Sequence, residues 1–227
     1  MIDDMPTLNF LPSTNLLNEA KSKEILNALG FKTPRHIVAD ASKSRPKILD
    51  LTYPLVIKGL SDKVAHKTEQ GLIALELRDA KAIDAAWDRI SGALAKADPD
   101  ASQILIEEYV SSGLEAILGI YRDSAVGPVV VMGAGGILCE LVDDNIIMVP
   151  PFSAERARHA ILKTKFGRLC DGFRGKKYDL NALSNAASKL GDVALHYPQF
   201  QSIDINPILI QAGSGGLIAV DANILLN

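Results

Sequence analysis

The sequence predicts an α+β protein of two lobes, and three features lead there. Strand-like runs and amphipathic helices follow one another without the strict alternation that builds a doubly wound parallel sheet. Asp98-Pro99-Asp100 marks a connection before a fresh series of strands, and so a lobe boundary. The chain closes on two apolar runs, Ser202-Ile203-Asp204-Ile205-Asn206-Pro207 and Gly215-Gly216-Leu217-Ile218-Ala219-Val220-Asp221, with a Gly-rich turn between them.

Taken in order, residues 1–15 read as a flexible arm. Leu16 to Gly30 reads as a helix, because Leu17, Ala20, Ile25, Leu26 and Leu29 recur at helical spacing. Ser13 to Asn15 offer caps and Gly30 a stop. Pro54 to Gly59 and Gly71 to Leu77 read as strands, and Ala80 to Ala97 as a helix with Ala85, Ile90 and Leu94 on its apolar side. Ile104 to Val110, Leu114 to Tyr121 and Pro128 to Met132 are strand-like runs between turn residues. Gly133-Ala134-Gly135-Gly136 reads as a loop, and residues 137–149 as a hairpin around Asp143-Asp144. Ser153 to Leu162 and Leu180 to Leu195 read as helices before the final strand pair.

Bulk properties exclude several classes. A net charge of -3 gives no electrostatic case for nucleic acid or an anionic membrane. No apolar run approaches a membrane span, and the N-terminus lacks the basic start and apolar core of a signal peptide. Cys139 and Cys170 do not suggest a disulfide framework; they read as reduced thiols of a cytoplasmic protein. Nothing in the histidines and cysteines suggests zinc.

Several residues carry chemistry. Side chains alternate along a strand, so Asp204 and Asn206 share a face and Asp221 can meet them from the neighbouring strand. Three such oxygens suit Mg²⁺. The spacing also fits a polar sheet face beside a hairpin. Lys58, ending an apolar strand, can set a point charge on a phosphate, or simply snorkel. Glu107 and Glu108 follow a buried strand, where backbone groups can meet a base and a carboxylate a ribose; they also read as solvated charge. The glycines at 133, 135 and 136 would admit phosphate close to backbone N–H groups, or form a tight turn. His66, in a polar basic loop after Lys58, is a competent nucleophile toward phosphorus at neutral pH, or an exposed loop histidine.

Together these segments resemble the ATP-grasp subunit or domain of NDP-forming acyl-CoA synthetases, relatives of succinyl-CoA synthetase. The resemblance begins at Asn18-Glu19-Ala20-Lys21 and Gly30-Phe31-Lys32-Thr33-Pro34. It continues through Tyr53-Pro54-Leu55-Val56-Ile57-Lys58, Val64-Ala65-His66-Lys67-Thr68 and Ile104-Leu105-Ile106-Glu107-Glu108-Tyr109-Val110. Then come Glu115 to Gly119, Arg122-Asp123 with Gly127-Pro128, Gly133 to Gly136, Glu140, Asp204-Ile205-Asn206-Pro207 and Val220-Asp221-Ala222. Each piece is weak alone; their order makes them specific.

The resemblance implies an ATP-grasp fold, a small lobe over about 34–105 and a large lobe over 16–33 plus 106–227, gripping ATP. It implies nucleotide contacts from Lys58, Glu107, Val110, Glu115, Arg122, Gly135 and Gly136, and Mg²⁺ held by Asn206 and Asp221 with Asp204 in support. His66 would relay a phosphoryl group between ATP/ADP and a histidine of a CoA-binding α subunit or fused domain. That partner would handle CoA and a small carboxylic acid, so this chain would be an acid–CoA ligase component active only with it. The other readings are a non-catalytic nucleotide-binding regulatory subunit and a carboxylate–amine ligase. Leu72, Met148, Asn223 and Asp143 stand where the family commonly has glycine, arginine, arginine and lysine, and the last three remove positive charge.

Overall fold

The structure, a computed structural model, describes residues 6, 8, 16–61, 63–64, 70–136 and 144–227. The chain divides into two compact units. The larger comprises residues 1–33 and 112–227, the smaller residues 34–111.

In the smaller unit β2 (His36–Asp40), β3 (Leu55–Leu60), β4 (Ile73–Leu77) and β5 (Gln103–Glu108) form a four-stranded antiparallel sheet in the order β2-β5-β3-β4. Helix α2 (Ala80–Ala97) starts at Asp79, whose side chain accepts the Ala82 N–H, and its apolar stripe covers one face of this sheet. Ile83, Trp87, Ile90 and Leu94 pack there on Leu55, Ile57, Ile104 and Ile106. Gly59 lies on that face; a Cβ on it would come within 3.3 Å of Leu72 and 3.4 Å of Leu94. The smaller unit extends to Ser111 rather than ending near 105, because β5 is an interior strand of this sheet and cannot be divided from it.

The larger unit is built on a seven-stranded antiparallel sheet. Its order is β1 (Leu16–Leu17), β11 (Ala222–Leu226), β9 (Phe200–Ile210), β6 (Leu114–Asp123), β7 (Gly127–Ala134) and β8 (Ile146–Met148). Strand β10 (Leu217–Ala219) pairs with the far end of β9. Helices α1 (Glu19–Ala28), α3 (Ala154–Ile161), α4 (Lys165–Cys170) and α5 (Leu180–His196) supply the rest of its core. Buried Leu183, Ala187 and Leu190 of α5 pack with Leu118 and Ile120 of β6 and Val130 and Met132 of β7.

Several expectations are corrected. Helix α1 is capped by Asn18, whose side chain accepts the Lys21 N–H at 3.1 Å, because Leu16 and Leu17 are extended against β11. Gly30 does end it, at φ +79°, with the Phe31 N–H reaching back to Leu26 O. Most of residues 1–15 lie outside the described residues. The two that are described are docked rather than flexible: Leu8 is buried in the core, and Pro6 O accepts a hydrogen bond from the Tyr197 hydroxyl. Gly133 and Ala134, expected in a loop, belong to β7; Ile137 to Asp143 are outside the described residues.

Candidate functional site

In the smaller unit, ladder register explains the central pair. Lys58 on β3 lies opposite Leu105 on β5, and Glu107 opposite Val56. Lys58 and Glu107 are thus diagonal neighbours on the sheet face turned away from α2, within reach of one another. The Lys58 ammonium stands 2.8 Å from Glu107 Oε1, with only 5% and 1% of the two side chains exposed. The sequence placed both in the nucleotide site; it did not foresee that they pair.

The strand end beyond them is pinned. Glu108 accepts the Thr52 N–H at 2.7 Å and is bound by the Arg35 guanidinium, which holds its carboxyl below the ordinary range. The Tyr109 N–H goes to Pro54 O at 2.9 Å. Val110 follows, half-buried, and its N–H makes no hydrogen bond among the described residues. A backbone donor held by a fixed strand end and left open can read the edge of a base.

His66 lies outside the described residues. Beside its segment, the Ser61 hydroxyl donates to Asp98 at 2.6 Å and Lys63 pairs with Asp98 and Asp100. On the other side, Arg89 donates to Gly71 O and Ile73 O.

In the larger unit, β9 carries the acidic edge. Its first half pairs with β11 and its last residues with β10. Between them Asn206 and Pro207 face a single residue, Ile117, of β6, which makes a bulge. Proline suits that place because it has no N–H to give a ladder. Asp204 lies opposite Asn223 of β11, and the Asn206 N–H donates to Asp221 O at 3.2 Å. Ile203, Ile205, Ala222 and Ile224 alternate into the core, so Asp204, Asn206 and Asn223 share the outer face, and Asp221 stands beside Asn206 just before β11 with its Oδ1 buried. Asp204 as a residue is exposed, yet the surrounding sheet withdraws water from its carboxyl and pushes its pKa above the ordinary range. On the other side it meets Gly119, where a Cβ would stand 2.5 Å from Ile203 O.

Glu115, Gly135 and Gly136 come together. The Gly135 N–H donates to Glu115 O at 3.0 Å. A Cβ on Gly135 would lie 2.6 Å from Ala116 backbone, and one on Gly136, at φ +57°, would fall on the Glu115 carboxylate. Only glycine permits this approach.

Arg122 does not join them. Its side chain lies on the helix-covered side of β6, where it donates to Ala194 O, Tyr197 O and Phe200 O at 2.7–3.1 Å. It closes the C-terminus of α5, whose last carbonyls need donors. The expected nucleotide contact is therefore replaced by a structural one. Two unusual residues resolve similarly: Leu72 and Met148 are both buried, in the cores of the smaller and larger units respectively. Asn223 alone of the described departures faces the acidic edge. Its place was legible from Asp221-Ala222-Asn223, which repeats the Asp-x-Asn spacing of 204–206.

The oxygen set of Asp204, Asn206 and Asp221 fits a hard cation such as Mg²⁺, which takes a few carboxylate or amide oxygens and keeps other positions for water or phosphate. Among the described residues no helix is long and apolar enough to cross a membrane.

Comparison with known proteins agrees with this geometry. A model described as the ATP-grasp domain matches residues 12–226. The chain is 33% identical to the acetate–CoA ligase [ADP-forming] I subunit beta of Pyrococcus furiosus, covering 92% of this chain and 91% of that one. It is 30% identical to the 4-hydroxybutyrate–CoA ligase [ADP-forming] of Nitrosopumilus maritimus, covering 92% of this chain but 30% of that longer protein. A solved structure of the dinucleotide forming acetyl-coenzyme A synthetase 1 of Candidatus Korarchaeum cryptofilum superposes with a TM-score of 0.84 at 28% identity, over 95% of each chain. That structure is a complex with coenzyme A, Ca-AMPCP and HgCl⁺. The two-sheet architecture, the span of the match and the full-length likeness to a β subunit agree: this chain has the ATP-grasp fold and belongs to the ATP-grasp family of ADP-forming acyl-CoA ligase β subunits.

Proposed function

We propose that this chain is the nucleotide-handling component of an ADP-forming acid–CoA ligase. It would bind Mg-ATP or Mg-ADP and exchange a phosphoryl group with a histidine on a CoA-binding partner subunit or domain. The observation that supports the reading is the edge of β9, where Asp204 and Asn206 are exposed and the Asn206 N–H donates to Asp221 O. Relatives support the rest: one solved acetyl-coenzyme A synthetase holds coenzyme A and Mg-AMPPCP with its phosphohistidine segment pointing towards the nucleotide-binding site.

Lys58 would set its charge on phosphate oxygens, held extended by Glu107, and Val110 would offer its backbone to the base. Glu115 would take ribose hydroxyls, with Gly135 and Gly136 admitting the ligand close to the backbone. Asp204, Asn206 and Asp221 would hold Mg²⁺, which when bound neutralises charge on the transferring phosphoryl group. His66 would accept that group on a ring nitrogen, for which the ring must be neutral, so activity would fall at acid pH. The acid substrate and CoA would be handled mainly by the partner.

The test is labelling with γ-³²P-ATP and Mg²⁺, comparing wild type, His66→Ala and Asp221→Ala, each with the CoA-binding partner. Acid-labile, base-stable label on wild type alone is expected. Equal label on all three would overturn the relay and the metal assignment together.

A further inference from the structure

The larger unit contains a cavity of about 300 Å³ that the proposed phosphoryl transfer leaves unused. It is at the small end of the range for ligand pockets, roughly 300–1,000 Å³. Three segments line it: the loop after α1, one stripe of α5, and β10 with its neighbour Ile208. The stripe reads Ala182, Asn185, Ala186, Lys189, the i, i+3, i+4, i+7 spacing of one helix face. Its two alanines leave a trough that longer side chains would fill.

The chemistry of the lining is one-sided. Phe31, Ile208 and Leu217 give apolar wall, Lys32 and Lys189 give cations, and no acid is among the lining residues. Neither lysine has a carboxylate partner among the described residues. The Lys189 ammonium has an aromatic ring instead, 5.7 Å from the Phe31 centroid, a weak partner for a full charge. Gly30 makes room for it, since a Cβ there would stand 2.7 Å from Lys189 Nζ. The acid on the neighbouring turn, Asp179, is committed: its two oxygens accept the N–H groups of Ala182 and Gly216, each at 3.0 Å.

Strand β10 adds a backbone donor. The Ala219 N–H points away from β9, to Lys32 O at 2.8 Å. Two residues earlier, alternation directs the Leu217 N–H the same way.

Two cations and an outward N–H beside an apolar wall, with no acid among the described lining residues, are the complement of an amphiphilic anion. We propose that this cavity binds a small organic carboxylate with a short apolar body. Lys189 and Lys32 take the charge, and Phe31, Ile208 and Leu217 cover the body. A free phosphate would gain nothing from that wall, which is why the carboxylate is favoured. The proposal does not depend on the nucleotide reading, and either can fail alone.

The experiment titrates the ¹⁵N-labelled full chain with acetate, butyrate and inorganic phosphate, following the amides of Phe31, Lys32, Leu217 and Lys189. Saturable shifts at these amides are expected, with butyrate tighter than acetate and phosphate weakest. Lys189→Gln, a surface change, should weaken butyrate about tenfold, as expected for loss of a charge-assisted contact. Ala182→Phe should do the same by filling the trough, while Mg-ATP titration stays unchanged in both. No saturable shift with butyrate would overturn the proposal. So would phosphate binding as tightly as butyrate, or unaltered butyrate affinity in both variants.

Discussion

Both sheets carry charged side chains on one face, in opposite states. In the smaller unit Lys58 and Glu107 are almost fully buried and paired at 2.8 Å. In the larger unit Asp204 and Asn206 are exposed, and Asp204 has no cationic partner among the described residues. The first charge is neutralised by the fold; the second is the one proposed above to hold Mg²⁺. Removing half of a buried pair strands the other half in a dry place, whereas removing an exposed ligand group strands nothing.

The largest effect should therefore come from Glu107→Ala, which leaves Lys58 buried without the Glu107 carboxylate. A loss of about 3–5 kcal/mol is expected, read as the urea midpoint of the smaller unit's transition. The double variant Lys58→Met, Glu107→Leu should recover most of that stability while still failing to bind Mg-ATP. A single variant as stable as wild type would break the comparison at its root.

Arg122→Ala comes next. It removes a donor from three backbone carbonyls, of which Tyr197 O keeps the Phe200 N–H, and a loss of about 1–3 kcal/mol is expected in the larger unit. Mg-ATP affinity should be unaltered, since the side chain lies on the helix side of β6. A selective loss of nucleotide binding with intact stability would restore Arg122 to the site.

Asn206→Ala should reverse that pattern. Its midpoint should move by less than about 1 kcal/mol, within the ordinary range for surface changes. Mg²⁺-dependent nucleotide binding should fall sharply, measured by calorimetry at fixed Mg²⁺. Destabilisation as large as that of Glu107→Ala would show the acidic edge to be structural.

How much of this was legible follows from the same contrast. The acidic edge was read from alternation alone, because period two puts Asp204 and Asn206 on one face whatever else the sheet does. The strands over 55–60 and 73–77 and helices over 80–97 and 180–196 were legible from apolar periodicity. The pairing of Lys58 with Glu107 was not, because it depends on register between strands that start 48 residues apart, at Leu55 and Gln103. Arg122 was misread because a motif gives order along the chain but not side of the sheet; its neighbours Ile120 and Leu118, alternating inward, already placed it. Strand β2 escaped because His36-Ile37-Val38-Ala39-Asp40 carries no clean alternation, and β5 supplies its partner from 67 residues away.

The smallest effect is the most diagnostic, because Glu108 and Asp204 should answer acid with opposite signs. In the smaller unit Arg35 holds the Glu108 carboxyl below its ordinary range, and the Ser61 hydroxyl and Lys63 do so for Asp98. A depressed folded pKa contributes stability that is present above the unfolded value and lost as pH falls through the folded one. Asp204 is the reverse. Its folded pKa is raised by loss of water, so the native state holds its proton longer than the unfolded chain. Stability is then fullest below the unfolded value, and falls as pH rises through the window up to the raised folded value. Asp204→Asn should therefore match wild type at low pH and be slightly more stable near neutrality, with Mg²⁺ absent. Adding Mg²⁺ should favour wild type instead, because the ion binds the ionised carboxylate and lowers its pKa. Urea midpoints at several pH values, with and without Mg²⁺, read all of this. If Asp204→Asn shifts the curve equally at every pH, no proton is involved. If Mg²⁺ fails to reverse the order of the two proteins, the acidic edge does not hold the ion through Asp204.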